Sequence, residues 1–175
     1  MILIDITQNQ IERAKKLYGF AELKGSISEG KGNLYGALGE IIVYDTYQAN
    51  GFEVDFNSNY DYDMVIQGYR VDVKTKRTTV KPLPHYLCNV SAYNTKQQCD
   101  FYFFLIINED LKHCYMVGYK DKLEFFNQAT FNQKGTHDVN GWIFKDDCYS
   151  MQIGMLNKFN FINNGKELHN RTHQP

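Results

Sequence analysis

The chain has 175 residues, enough for one domain with a full hydrophobic core and too few for two comfortable ones. Hydrophobic residues make up 43 % and charged residues 22 %, and neither the 13 glycines nor the 3 prolines recur periodically, which excludes collagen-like, coiled-coil and disordered chains. With a net charge of −1, any contact with a polyanion must come from a local basic patch rather than from the field of the whole molecule.

The opening MILID offers four apolar residues before Asp5, too few for a secretory signal, and no later run is long enough to span a bilayer. The expectation is a cytoplasmic protein with no membrane partner. Asp5 or Thr7 is placed to cap a first helix, in which Ile11, Ala14 and Leu17 recur at helical spacing until Gly19 weakens the pattern. Residues 24–33, KGSISEGKGN, read as a loop. A second helix carries Leu34, Ala37, Leu38, Ile41 and Ile42 and ends at Asn50-Gly51. Glu40 lies inside it, beside Gly39. A glycine within a helix costs on the order of 1 kcal/mol relative to alanine, so Gly36 and Gly39 predict that another element approaches the helix closely.

Residues 52–56 alternate Phe52, Val54 and Phe56 and predict a strand, followed by a polar turn at Asn57-Ser58-Asn59. Next comes a hairpin. A two-residue turn at Gln67-Gly68, with glycine taking a positive φ, pairs Ile66 with Tyr69, Met64 with Val71 and Tyr62 with Val73. Period-two alternation then puts Tyr62, Met64, Ile66, Tyr69, Val71 and Val73 on the core face. Asp61, Asp63, Val65, Arg70, Asp72, Lys74 and Lys76 fall on the other, with Asp63 directly opposite Asp72.

Pro82 and Pro84 mark a break, after which residues 85–93 predict a strand. FYFFLII, residues 101–107, predicts a central strand covered on both faces, and CYMVGY, residues 114–119, its neighbour. Residues 120–129 predict a short helix, and GWIF (141–144) and YSMQI (149–153) short strands. The domain is expected over residues 1–165, with 166–175 a frayed tail. Strands mixed with helices place the chain in the α/β or α+β class, a central sheet flanked by helices.

The hairpin raises a chemical question. Opposed cross-strand side chains have Cβ atoms about 4.5–5.5 Å apart, where two carboxylates repel unless something neutralises them. A divalent cation would do so, and Mg²⁺ takes one or two carboxylates while keeping sites for water and phosphate oxygens. Lys74, two residues beyond Asp72 on the same face, would stand beside a water attacking a phosphate. Asp63 opening the strand Met64-Val65-Ile66, followed by Asp72-Val73-Lys74 in the next strand, resembles the PD-(D/E)xK nuclease superfamily, with Gly39-Glu40 similar to its upstream acidic motif. The resemblance covers residues 33–77, and Tyr62 stands where the motif's name has proline.

That resemblance implies a restriction-endonuclease-like mixed sheet and an Mg²⁺-dependent DNA nuclease, an endonuclease in the first instance, with Mn²⁺ able to substitute. It implies that Asp63, Asp72 and the Val73 carbonyl bind the metal, that Glu40 supports it, and that Lys74 positions the nucleophilic water. Asp61 is the alternative to Asp63. Lys76, Arg77 and Lys81 concentrate positive charge just downstream and are the candidate contacts to the DNA backbone. Tyr86, Asn89, Tyr93 and Asn94 are candidates for contacting bases. Cutting both strands with so small a domain would call for a homodimer.

Other readings compete with this one. The hairpin's charged face would be an ordinary solvated surface if Asp61 paired with Lys74 while Arg70 or Lys76 relieved Asp72. The fold would equally serve a non-catalytic DNA-binding or assembly module. Residues 25–31 fit GxxxxGK, the phosphate loop of nucleotide hydrolases, with Glu109 or Asp110 as the distant acid, but Gly32 replaces the hydroxyl residue that would meet Mg²⁺. His85, Cys88, Cys99, His113 and Cys114 are the nearest approach to a zinc ligand set, without zinc spacing.

Overall fold

The computed structural model describes residues 1–20, 31–57, 59–138 and 141–160. Residues 24–30 of the expected loop, 25–30 of the phosphate-loop match and the tail at 166–175 therefore lie outside the described residues, while 31–33, expected in the loop, are helical. Residues 2–5 form a strand that the sequence did not announce, β1 (Ile2–Asp5). Helix α1 (Gln8–Phe20) follows, and of its two candidate caps Thr7 does the work. Thr7 Oγ1 accepts from Gln10 N at 3.3 Å, and Gln10 Oε1 accepts from Thr7 N at 3.0 Å, the reciprocal pair of a capping box. Asp5 instead meets His113 Nδ1 at 2.9 Å.

Helix α2 (Lys31–Ala49) stops at the expected place. Gly51, at φ +80°, takes the left-handed position, Phe52 N donates to the Tyr47 carbonyl and Gly51 N to that of Gln48. Those bonds satisfy the orphan carbonyls of the last turn, and the rings of Tyr47 and Phe52 pack over it with centroids 5.1 Å apart.

The strands that follow are β2 (Val54–Phe56), β3 (Met64–Ile66), β4 (Tyr69–Thr78), β5 (Leu87–Ser91), β6 (Phe101–Asn108) and β7 (His113–Asp121). Helix α3 (Lys122–Gln128), capped by Asp121, leads to β8 (Thr130–Asn132) and β9 (Cys148–Gln152). The main sheet has the order β1-β7-β6-β4-β3-β2, and of its pairings only β4 with β6 is parallel. A smaller antiparallel sheet has the order β5-β9-β8. The architecture is mixed α and β, as expected.

β6 shows why FYFFLII lacks alternation. Phe103, Leu105 and Ile107 face α1 and α2 in one core cluster, while Tyr102, Phe104 and Ile106 face the small sheet and α3 in a second. Both faces are covered, so both sets of positions are apolar.

Three local expectations are corrected. The strand predicted over 85–93 is β5 only to Ser91, because the Ser91 hydroxyl caps a one-turn 3-10 helix at Ala92–Lys96. The strand predicted at 141–144 is a lone bridge between His137 and Ile143. Tyr62 packs against the second cluster, opposite to Met64 and Ile66, because the hairpin ladder ends at Met64, two residues short of it.

Candidate active site

The hairpin turn is the predicted one. Gln67 and Gly68 have φ of +46° and +84°, the paired left-handed residues of a type I′ turn, and the register runs Ile66 to Tyr69, Val65 to Arg70 and Met64 to Val71. There the regular ladder stops. Asp63 N turns back to the Val71 carbonyl at 2.9 Å, while β4 continues to Thr78 with β6 on its other side. β3 and β4 thus fork. In an unbroken ladder Val73 N–H would donate to the Tyr62 carbonyl; it donates instead to Asp63 Oδ2, at 2.6 Å. Asp63 is therefore not a side chain standing opposite Asp72 on an outer face. Its carboxylate closes the open edge of β4 inside the fork.

Asp72 projects on the second-cluster side, where it is not solvated. It is 2 % exposed and Asp63 8 %, which rules out an ordinary surface pair. Asp61 accepts from Gln98 N at 3.1 Å and Arg70 pairs with Asp100 at 3.0 Å, so neither makes the contact a solvated face would use. Lys74 forms the ion pair with Asp72 Oδ2, and its ammonium lies 5.6 Å from the centre of the Tyr102 ring. From the helical layer, Gly39 of α2 sits against Thr75, and an added Cβ there would fall 2.0 Å from Thr75 Oγ1. This close approach, the one the sequence predicted, brings Glu40 to the fork. Gly36 has nothing within 4 Å and plays no such part.

The acids feel one another. Burial, then the neighbouring charges of Glu40 and Asp72, push the Asp63 carboxyl up to about 8, against the lowering effects of the Val73 N–H and Lys74. The four residues singled out in sequence, Glu40, Asp63, Asp72 and Lys74, thus share one confined electrostatic site.

Sequence reasoning missed three residues around this site. Gln97, 4 % exposed, donates from Nε2 to Asp72 Oδ1 at 2.8 Å and to the Tyr60 carbonyl at 2.6 Å. Lys122 donates to the Gln97 carbonyl, which ties α3 to the same point. Tyr102, beneath Lys74, donates its hydroxyl to the Asn94 carbonyl at 3.2 Å. Gln97 sits in a polar stretch of no particular pattern, so no sequence signal marks it.

No protein-family model matches the chain, and no curated protein matches it either.

Among the described residues no group of three or more His, Cys, Asp or Glu side chains is gathered to hold a metal unaided. The five residues nearest to a zinc set do not come together: Cys114 is buried in the first core cluster and Cys88 and Cys99 in the second, on the other side of the sheet. A hard cation that needs only two carboxylates and a main-chain carbonyl is a different case. Asp72 Oδ2 is buried without a hydrogen bond of normal geometry, only the ammonium of Lys74 against it. Asp63, with its crowded carboxyl, Asp72 and the Val73 carbonyl are the groups that could hold such a cation.

The basic residues divide. Lys76 follows Lys74 on the same face, is exposed, and donates to the Leu87 carbonyl at 2.9 Å, where desolvation of the ammonium lowers its pKa. Arg77 points to the other face and lies 5.5 Å over the Tyr35 ring of α2. Lys81 is exposed in the connection to β5. Beside Lys76 opens a cleft of about 970 Å³ between β4 and the small sheet, lined in part by Tyr86 and Asn89. Tyr93 and Asn94, the other candidate base contacts, lie on the one-turn helix instead. Asp110 accepts from Lys112 N at 3.0 Å within the β6–β7 turn.

Proposed function

We propose that the chain is a restriction-endonuclease-like domain that hydrolyses DNA phosphodiester bonds with Mg²⁺, or with Mn²⁺ in its place. The observation that carries this reading is the fork, where the Asp63 carboxylate on the Val73 N–H stands in the field of Glu40, Asp72 and Lys74. Asp63, Asp72 and the Val73 carbonyl would hold the cation, with Glu40 supporting it. When bound, the cation polarises the phosphate and acidifies water. Lys74 orients the attacking water, and the low exposure of Asp72 keeps bulk solvent from competing for its carboxylate. The water oxygen bonds to phosphorus and releases one proton to solvent, the bond to the leaving sugar oxygen breaks, and that oxygen takes up a proton from solvent, so that one water is consumed. Lys76, on the face of Lys74, and the exposed Lys81 would contact neighbouring phosphates, which loses affinity as salt rises.

Supercoiled, linear, single-stranded and branched DNA, each with Mg²⁺, Mn²⁺ or EDTA, test the reading. Cleavage is expected with either cation and not with EDTA, and Asp72→Asn and Lys74→Ala should each abolish it while circular dichroism stays native. Near-normal cleavage by either variant would falsify the assignment. Linear product without a nicked intermediate marks the homodimer. The ion pair between Lys74 and Asp72 also suits a non-catalytic DNA-binding module; such a module would bind DNA equally in EDTA and Mg²⁺ and cut none.

A further inference from the structure

The cleft beside Lys76 has a built floor. Directly opposed residues of antiparallel strands share a face, so Asn89, Ser150 and Thr130 form one row across β5, β9 and β8. Gln152 and Asn132 flank that row two residues along, on the same face. The reverse face carries Cys88, Val90 and Met151 in the second core cluster. A small sheet sealed by core on one side therefore turns amides and hydroxyls into the cleft on the other. Ser150 is buried and accepts from Asn132 Nδ2 at 2.8 Å, while Asn89 Oδ1 is buried with no hydrogen-bond partner. A buried amide oxygen without a donor is unfavourable unless a ligand supplies one.

The walls are aromatic. His85 and Tyr86 pack edge to face at 5.0 Å. Trp142, 60 % exposed, is held by bonds in both directions with Asp138. All three line the cleft. Lys76 lines it as well, about 7 Å beyond Lys74 on the same face at roughly 3.3 Å per strand residue.

A floor of hydrogen-bonding amides, aromatic walls for stacking, and a cation leading from the phosphodiester site match the chemistry of a nucleobase attached to a phosphate chain. Paired bases are stacked in the duplex with their pairing edges occupied, so only an unpaired nucleotide can enter. We propose that the cleft binds one or two unpaired nucleotides next to the scissile phosphate, so that the substrate is single-stranded, branched or locally opened DNA. This rests on the nuclease reading for the identity of the chain that enters.

Trp142 is the only tryptophan in the chain, so its fluorescence reports on the cleft alone. In EDTA, a mixed-sequence single-stranded octanucleotide should change that fluorescence saturably. An octamer of abasic residues, with the same phosphates, and a blunt duplex of the same sequence should each bind at least tenfold more weakly. Asn89→Ala should weaken the single strand about tenfold, and so should Gln152→Ala, an exposed position whose replacement leaves the fold intact. A silent Trp142, or an equal response to the abasic strand or the duplex, overturns the proposal. If Mg²⁺-dependent cleavage of plasmid persists in that case, the nuclease reading stands and the pocket falls. A selective response from a protein that cuts nothing supports the pocket and sinks the nuclease.

Discussion

At Asp63, burial and the charges of Glu40 and Asp72 raise the carboxyl to about 8, above its value of about 3.9 in an unfolded chain. Between those two values the folded protein holds a proton that the unfolded chain releases, so stability falls as pH rises through the window. The melting temperature in EDTA should be lower at pH 9 than at pH 6, and Asp63→Asn should remove most of that slope. An unchanged slope in the variant would assign the effect to another group. Under the proposed function, millimolar Mg²⁺ should recover the lost stability at pH 9. Gln97 offers a second test at this scale. Gln97→Leu removes the donor to buried Asp72 Oδ1 and should cost roughly 1–3 kcal/mol in urea denaturation. Asp63 was legible in sequence as an acid near the turn, but its bond to the Val73 N–H was not, because a ladder's end depends on what the neighbouring strands do.

Two glycines of α2 separate geometry from helix propensity. Gly36→Ala meets nothing within 4 Å, so the gain in propensity, about 0.5–1 kcal/mol, should appear as added stability. Gly39→Ala gains the same propensity but drives a methyl to 2.0 Å from Thr75 Oγ1. Overpacking of that kind costs typically 1–3 kcal/mol, so the net sign reverses, and the helix that carries Glu40 shifts from the fork. Thr75→Ala in the same chain removes the clashing oxygen, which has no hydrogen bond to lose, and should restore part of the stability. A stabilising Gly39→Ala, read by thermal melting, would contradict the close approach. The sequence marked both glycines alike, because composition within a helix does not say which residue another strand will meet.

Across the molecule, β6 joins the two cores through alternate residues, Phe103 toward the helices and Phe104 toward the small sheet, each at most 1 % exposed. If the layers fold together, Phe103→Leu and Phe104→Leu should each shift one common unfolding transition, by on the order of 1 kcal/mol. Two separable transitions, followed by far-UV circular dichroism and Trp142 fluorescence, would show that the small sheet melts independently. No described helix is long and apolar enough to cross a membrane.

The sequence by itself determined the hairpin turn and its first three pairs, the stop of α2 at Gly51 and the two-sided burial of β6, and it singled out Glu40, Asp63, Asp72 and Lys74 as candidates. Each follows from local conformational preference or from period-two and helical spacing within one segment. Only the tertiary structure decided that Asp72 is buried rather than solvated, that Asp63 closes the edge of β4, that Gln97 holds Asp72, and that β5, β9 and β8 floor a polar cleft. The reason is range: those features require strands far apart in sequence to pair, and a residue's face acquires meaning only when the layer that covers it is in place.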